Sequence, residues 1–464
     1  MPLINHAGKT GIYLALFALY FFSFPNEIIK EPLFFQGFFP FVYYYILFRN
    51  LEKIRKLPFF ILHTALNFCL LSWLVHTIHQ FGEMSMFLSL GGVFLISLYL
   101  SVYPLLFLDA AQRIKRYPFL FPVIFTVLEL IRGSLFTGFA FNTLGYSLYK
   151  LRLLILPARF YTVYGVGFFV VLCAALLSIR SRKSLIALLF MAAVYFIPLL
   201  KPVPVKPPGI RIALLQTSFE PEDKRKDLYG VFYDYHLIPT MNFLDGGHAP
   251  DLIVWSETAM PDVFSVMSSQ TQLLASMCRR FDTSLISGCS LIRDGKAYNA
   301  AFMMETGGEI EDFYAKMHLV PFGEFFPFKE LPFFKNIYGH FLDFERGKDL
   351  QLFEADGVRV FTPICYEIAF GSIVRKAVRA GAEIIVNISN DGWYGYSSGP
   401  VAEIPFCIFR AIESGKWVMR AINRGWGLVV APDGRIICKN KPTGWGFILV
   451  NEAGQADFYR SREK

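Results

Sequence analysis

The sequence predicts a bundle of membrane-spanning helices followed by an α/β domain. Of the 464 residues, 54% are hydrophobic, and the mean hydropathy of +0.42 is too high for a typical soluble protein. The apolar excess is confined to the first 200 residues, where long runs with few charges recur. After residue 210, short apolar stretches alternate with polar stretches of helical character, which is typical of an α/β domain.

About seven of the apolar runs approach the roughly 20 residues that span a bilayer. They lie near residues 10–24, 33–48, 58–79, 84–108, 118–136, 160–179 and 184–200. The second run contains Gln36, Gly37 and Pro40, but the charges of the loops alternate correctly only if it crosses. The first run could be a signal peptide, but no small-residue cleavage pattern follows it, so we expect an uncleaved anchor.

The charge of the short loops predicts how the bundle is oriented. The net charge of +8 comes largely from alternate loops, so it does not indicate nucleic-acid binding. By the positive-inside rule, the N-terminus is expected to be cytoplasmic. After seven crossings the α/β domain lies on the opposite face of the membrane, which in a bacterium is the periplasmic side. No apolar run of membrane length follows residue 200, so we expect the C-terminus on the same side. The basic loops contain Arg49, Lys53, Arg55 and Lys56; Arg113, Lys115 and Arg116; and Arg180, Arg182 and Lys183.

A proline-rich segment separates the two parts of the chain. Residues 201–209 read KPVPVKPPG, which cannot continue a helix and favours an extended connector. We therefore predict a transmembrane domain over 1–200, a linker over 201–209 and a catalytic domain over 210–464. In this domain, predicted strands cover 210–215, 251–255, 284–287, 300–304, 358–362, 383–387, 418–421 and 427–431, and predicted helices cover 229–244, 269–281, 368–380 and 402–414.

Three residues at strand ends suggest nucleophilic chemistry. Cys365 follows an apolar strand and precedes a helix-like stretch, an arrangement that exposes a nucleophile beside free backbone N–H groups. Glu257 could act as its base, and Lys316 could stabilise an oxyanion and favour the thiolate. Glu324 could hold Lys316 or share protons with Glu257. Taken singly, each charged residue could instead be a surface salt bridge, and most of the seven cysteines are expected in apolar cores.

The motifs around these residues resemble those of the nitrilase superfamily, whose members place a Glu-Lys-Cys triad on an α-β-β-α sandwich. Together with the preceding spans and the segment Leu128–Ser147, the chain resembles the bacterial apolipoprotein N-acyltransferases. The resemblance covers nearly the whole chain. The motifs are WSET at 255–258, YAKMHLVPFGE at 314–324, ICYEIAF at 364–370 and NISNDGWYG at 387–395.

The resemblance implies a two-step acyl transfer in lipoprotein maturation. Cys365, deprotonated by Glu257, would attack the sn-1 ester of a phospholipid such as phosphatidylethanolamine, leaving a thioester and a lysophospholipid. The α-amine of a diacylglyceryl-cysteine apolipoprotein would then take the acyl chain. Lys316 and the Tyr366 N–H would hold the oxyanion. By the same resemblance, Glu324, Tyr366, Glu367, Asn390 and Trp393 support the site or border the substrate.

The resemblance and the motifs imply no cofactor, no metal and no nucleic-acid partner, and a monomer in the bacterial inner membrane. The chain departs from the family at Gln216–Ser218 and at Arg424, Trp426 and Gly427, which affects the expected acceptor and acyl specificities more than the triad. Two other functions remain open: a membrane-anchored nitrilase-type amidase that transfers the acyl group to water, and a non-catalytic paralogue acting as a scaffold.

Other polar and aromatic residues are interpreted as structural or lipid-facing. We expect His318 to be packed or hydrogen-bonded and the later polar residues to form buried pairs. An aromatic stripe beside the site predicts a loop that dips into the membrane, although its members could also be core residues. The later polar residues are Arg410, Glu413, Arg420 and Asn423, and the stripe comprises Phe322, Phe325, Phe326, Phe328, Phe333 and Phe334.

Overall fold

The computed structural model describes residues 2–80, 82, 84–201, 204–321, 323–325 and 343–460. The chain divides into two compact units. The first contains residues 1–203 together with Tyr396–Pro405, and the second contains Pro204–Gly395 together with Phe406–Lys464. Each unit is described separately below.

The described elements of the first unit are helices joined by turns and loops. Its helices are α1 (Pro2–Phe21), α2 (Phe39–Arg49), α3 (Lys56–Leu70), α4 (Trp73–Gln80), α5 (Met86–Arg113), α6 (Phe121–Arg132), α7 (Arg152–Ile155), α8 (Ala158–Ile179) and α9 (Arg182–Phe196). Prolines set several of the boundaries. Pro40 and Pro122 occupy the first turns of α2 and α6, where a missing backbone N–H costs nothing.

Among the described residues, three helices are long and apolar enough to cross a membrane. They are α5, α8 and the stretch Arg182–Leu200 that contains α9. The pair α3 and α4 passes the same test only together, with a bend of 58°, so the number of candidate spans is at most four. The predicted runs near 33–48 and 118–136 instead carry helices of 11 and 12 residues. The count of seven crossings therefore stays a prediction.

The segment after α6 is held by a buried ion pair. Arg132 Nη2 lies 3.1 Å from Glu129 Oε1 and 2.9 Å from Thr143 Oγ1. Glu129 Oε1 also accepts from the Leu144 N–H at 3.3 Å. These residues belong to the segment Leu128–Ser147 that carries part of the family resemblance. Because both charged side chains are only 8% exposed, the pair fixes the path of the chain inside the unit.

The second unit is built on a large mixed sheet. Its strands are β1 (Ile212–Thr217), β2 (Leu252–Val254), β3 (Ser284–Arg293), β4 (Lys296–Met304), β5 (Ile310–Ala315), β6 (Phe353–Ala355), β7 (Val358–Phe361), β8 (Ile384–Asn390), β9 (Trp417–Asn423), β10 (Gly427–Val430), β11 (Ile436–Asn440), β12 (Gly446–Val450) and β13 (Ala456–Arg460). Its helices are α10 (Pro221–Lys226), α11 (Leu228–Val231), α12 (Ile238–Asp245), α13 (Ser269–Phe281), α14 (Gly371–Arg379) and, after α15 (Gly399–Ala402) in the first unit, α16 (Ile404–Ser414).

The sheet consists of two halves that meet at a narrow seam. One half has the order β5-β4-β3-β2-β1, extended by β12 and β13, and the other has the order β6-β7-β8-β9, extended by β10 and β11. The β1 and β9 strands pair in parallel through Gln216 with Ile422 and Thr217 with Asn423. The β1, β2 and β3 strands are parallel, as are β7, β8 and β9. Because β1 and β9 are also parallel, the carboxyl ends of all six strands lie along one edge of the sheet.

Helix α13 shows why the sequence forms these elements. Ser268 accepts a hydrogen bond from the Thr271 N–H and caps the helix, and Asp282 ends it in the left-handed conformation. Thr271, Leu274 and Cys278 recur at helical spacing and are buried. Their face joins the core against strand residues such as Ile253, Trp255, Leu285 and Phe302. The predicted helix over 269–281 and the predicted α/β class of this unit are confirmed.

Candidate active site

The three residues predicted to be catalytic all follow strands of the second unit. Glu257 lies three residues after β2, Lys316 comes directly after β5, and Cys365 opens a 3₁₀ turn, Cys365–Ala369, after β7. The β2 and β5 strands belong to one half of the sheet and β7 to the other. The candidate site is therefore assembled across the seam between the two halves.

Lys316 lies between two carboxylates. Its Nζ is 2.8 Å from Glu324 Oε1 and 3.4 Å from Glu257 Oε1. Lys316 is 1% exposed and Glu257 5%. Burial alone would lower the pKa of Lys316, but the charges of Glu324, Glu257 and Cys365 outweigh it and hold the pKa well above its ordinary value. Lys316 is therefore a fixed cation at neutral pH.

Asn299 is a member of this cluster that the sequence analysis missed. Its Nδ2 donates to Glu257 Oε1 at 2.8 Å and to Glu324 Oε1 at 2.6 Å. The side chain projects from β4, whose other described residues near this point are apolar, so a lone asparagine within the strand was the available signal. The second oxygen of Glu324 accepts from the Val320 N–H at 2.8 Å. Both carboxylates are thus held in single orientations.

Cys365 occupies a strained position. Its φ of +53° lies in the left-handed region, which an L residue other than glycine adopts at a cost of about 1 kcal/mol or more. The Asn387 Nδ2 supports this turn by donating to the Cys365 and Pro363 carbonyls at 3.1 and 2.9 Å. Because Cys365 adds to the electrostatic stabilisation of the Lys316 ammonium, the thiol lies within the field of that cation.

Glu367, in the same turn, has a different environment from the other acids. Its Oε1 accepts from the N–H groups of Met317 and His318 at 2.7 and 2.9 Å, and its Oε2 accepts from the Ile364 N–H at 2.9 Å. The Tyr314 hydroxyl also donates to it, at 3.0 Å to Oε2. Burial raises the pKa of Glu367 to about 7, against the opposing effects of the three backbone N–H donors and the Lys316 charge. Glu367 therefore ties the segment after β5 to the turn that carries Cys365.

The remaining predicted site residues lie beside these two groups. The Asn390 N–H donates to Glu257 Oε2 at 3.0 Å, so the end of β8 fixes the second oxygen of that carboxylate. Tyr366 is 7% exposed, and its ring packs edge-on against Phe370 and Phe406. Trp393 is 37% exposed and lies in the turn after Asn390. The structure thus joins Glu257, Lys316, Glu324 and Asn390 by direct contacts.

Of the polar residues interpreted as structural, Arg410, Arg420 and Asn423 are buried, whereas His318 and Glu413 are partly buried. His318 stacks on Phe370 with ring centroids 3.6 Å apart, and burial lowers the pKa of His318 to about 4. Arg410 pairs with Glu413 at 2.9 Å, and Arg420 pairs with Asp391 at 3.0 Å.

Two further predictions concern the aromatic stripe and metals. In the stripe, Phe325 is described, whereas Phe322, Phe326, Phe328, Phe333 and Phe334 lie outside the described residues. Within the described ranges, no group of three or more His, Cys, Asp or Glu side chains is arranged to hold a metal ion.

Comparison with known proteins gives two family matches. Residues 246–451 match the carbon-nitrogen hydrolase family, and residues 9–176 match the apolipoprotein N-acyltransferase N-terminal domain. The α/β unit thus has the nitrilase-like fold that the motifs predicted.

Individual relatives share much of the chain. It is 28% identical over 395 residues to an apolipoprotein N-acyltransferase of Geobacter metallireducens, covering 79% of this chain and 75% of that protein. It is also 28% identical over 379 residues to one from Aquifex aeolicus, covering 80% and 84%. A Saccharomyces cerevisiae member of the nitrilase superfamily superposes with a TM-score of 0.41 at 19% identity, covering 53% of this chain and 90% of that structure.

Proposed function

The chain belongs to the apolipoprotein N-acyltransferase family, and we propose that it moves a fatty acyl chain from a phospholipid to a lipoprotein. The proposed donor is the sn-1 ester of a phospholipid such as phosphatidylethanolamine. The proposed acceptor is the N-terminal α-amine of diacylglyceryl-cysteine. The observation that carries the proposal is the buried cluster of Lys316 with Glu257 and Glu324 beside the strained Cys365 turn.

In the proposed first step, Glu257 takes the proton of the Cys365 thiol. The thiolate attacks the ester carbonyl, and the negative charge that develops on oxygen is held by the Lys316 ammonium and the Tyr366 N–H. The carbon–oxygen bond then breaks, and Glu257 returns its proton to the leaving alkoxide. The products are a thioester on Cys365 and a lysophospholipid. Glu324 and Asn299 support this step by fixing Lys316 and Glu257.

In the proposed second step, the acceptor amine attacks the thioester carbon. Glu257 takes a proton from the attacking nitrogen, the carbon–sulfur bond breaks, and the Cys365 thiolate regains that proton. Water could attack the same thioester, which would make the protein a membrane-anchored hydrolase of the nitrilase type; with an amide as the acyl donor, it would be an amidase. Transfer to an amine is favoured over hydrolysis because the first unit carries apolar helices of membrane length. A lipid ester and a lipidated amine both reside in the membrane. Within this proposal, residues 1–200 form the multi-pass membrane domain of about seven spans, 201–209 the linker and 210–464 the catalytic domain on the periplasmic face.

The proposal is tested by mass spectrometry of the purified full chain incubated with phosphatidylethanolamine vesicles. We expect an acyl adduct on Cys365 that hydroxylamine removes and that is absent from Cys365→Ser. Cys438→Ser, at a partly buried cysteine, is the matched control and should keep the adduct. Addition of a diacylglyceryl-cysteine peptide should then discharge the adduct into an N-acyl peptide.

Each other outcome points to a different function. Release of free fatty acid without N-acyl peptide would indicate a membrane-anchored hydrolase. No adduct with any phospholipid would favour a non-catalytic scaffold.

A further inference from the structure

A second lysine lies beside the base of the candidate site. The Lys224 side chain extends from the short helix α10, and its ammonium donates to the carbonyl of Thr258, the residue after Glu257. Lys224 also interacts electrostatically with Glu257. Neither the motifs nor the proposed mechanism uses this residue.

The turn that carries Glu257 is held under close constraint. Thr258 has a φ of +51°, in the left-handed region. On its inner side the turn presses on Gly288 of β3, where a Cβ atom would lie 2.4 Å from the Thr258 nitrogen and 2.7 Å from Glu257 Cα. The Gly288 carbonyl accepts from the Met260 N–H at 3.2 Å just beyond the turn. Gly288 therefore packs against the backbone of Glu257 and Thr258, and Lys224 bonds the Thr258 carbonyl.

We infer that Lys224 is a positioning residue of the active site. It holds the Thr258 carbonyl, and so the strained turn, in the geometry that aims Glu257 at the thiol. Its ammonium also places a second positive charge beside the Glu257 carboxylate, in addition to Lys316. This inference rests on the proposed function, because Glu257 is its base.

The surroundings of Lys224 determine how its role depends on pH. Burial lowers the pKa of Lys224 to about 8, and Glu257 opposes this effect. Burial lowers the pKa of the neighbouring His236 to about 3, with a smaller contribution from Lys224, so this ring is neutral at physiological pH. On the other side of Glu257, Lys316 contacts its carboxylate and Glu324 shares Asn299 with it, while Cys365 interacts electrostatically with Lys316. Above pH 8, Lys224 loses its charge whereas Lys316 keeps its own.

The test compares the rate of thioester formation on Cys365 in the full chain and its variants between pH 6 and 9.5. In Lys224→Met, the loss of one charged hydrogen bond is expected to lower the rate at pH 7 by about 10- to 100-fold. In the wild type, the rate should fall above pH 8. Lys224→Arg keeps its charge throughout, so it should restore activity at pH 7 and lack this fall.

The control is Lys226→Met, on the exposed side of the same helix, which should behave as the wild type. Thermal unfolding shows whether each variant is folded, and Lys224→Arg keeps the test decisive if Lys224→Met is not. Wild-type rates in Lys224→Met, or an unchanged alkaline fall in Lys224→Arg, would overturn the inference and leave the proposed function standing. A wild type that forms no thioester would overturn both.

Discussion

Replacing Asn299 with alanine removes an amide that bonds Glu257 and Glu324 at once. The two hydrogen bonds, of 2.8 and 2.6 Å, end on carboxylate oxygens inside the protein. A hydrogen bond to a charged group contributes about 1.5–3 kcal/mol, so the loss of both lowers the free energy of unfolding by about 3–6 kcal/mol before relaxation. If the transition state also loses the free energy of one such hydrogen bond, thioester formation slows by about 10- to 100-fold.

The Asn299→Asp variant separates hydrogen bonding from shape. Asp has nearly the same volume but replaces the donor with a third acid, so three carboxylates would crowd around the Lys316 ammonium. Because like charges in a buried site repel strongly, we expect this variant to be less active at pH 7 than Asn299→Ala. At acid pH, where a carboxyl group can be neutral, the difference in activity between Asn299→Asp and Asn299→Ala should become smaller.

The assay is the rate of acyl adduct formation on Cys365, with thermal unfolding of the same samples. Asn451→Ala, at an exposed asparagine that bonds Gln455, is the matched control and should leave both quantities unchanged. An Asn299→Asp variant as active as the wild type would refute the reasoning. So would an Asn299→Ala variant that loses neither rate nor stability.

Three further changes test the same site. Lys316→Met leaves two buried carboxylates without their cation, so the free energy of unfolding should fall by about 3–5 kcal/mol at pH 7 and by less at acid pH, as denaturation at several pH values would show. In the folded protein, the pKa of Glu367 is about 7, above its ordinary value, so ionisation of this carboxyl group destabilises the fold. The free energy of unfolding should therefore fall by roughly 3 kcal/mol as pH rises from about 4.5 to 7. Glu367→Gln should abolish this pH dependence. Gly288→Ala brings a Cβ atom against Glu257 and should slow acyl transfer at least about tenfold, whereas Gly91→Ala, with open space around it, should not; equal rates in the two variants would contradict the packing argument.

The sequence predicted buried strands better than exposed ones. Strands β2, β7, β8 and β9 are apolar runs between turn residues, and each lies within two or three residues of its predicted position. Strand β5 was missed because its residues Ile310–Ala315 are mostly half-buried and polar, so they give no apolar run. Strands β11 and β13 are exposed in the same way. Each pairs antiparallel with the strand just before it in the chain, but without a buried face neither strand gives an apolar run or a clear alternation.

In the first unit, the sequence locates the apolar segments but not the ends of the helices. Hydropathy locates apolar segments but does not say where each helix starts or bends. Prolines start α2 and α6 late, and a break after Leu70 bends α3 against α4 by 58°. Some sequence segments that are apolar enough to cross a membrane therefore contain helices too short to span the bilayer.

The candidate site could be predicted where its residues end strands. Glu257, Lys316 and Cys365 were singled out because carboxyl ends of strands meet, and the structure brings Glu257 and Lys316 into contact. Asn299 was not, because it lies inside a strand, and its contact depends on the register that places it opposite Ser290. Lys224 was not predicted either, because its bond to the Thr258 carbonyl joins residues 34 positions apart. Their roles in catalysis stay predictions.

The seam between the two halves of the sheet has a consequence for biosynthesis. The hydrogen bond from Asn390 to Glu257 joins residues 133 positions apart, and the cysteine lies between them in the chain. A ribosome therefore exposes the thiol before the strand that completes its surroundings exists. Since such distant contacts form late in folding, the nascent chain carries an ordinary, unactivated cysteine. On the proposed mechanism, the reactivity of Cys365 begins only when both halves have been translated and have joined.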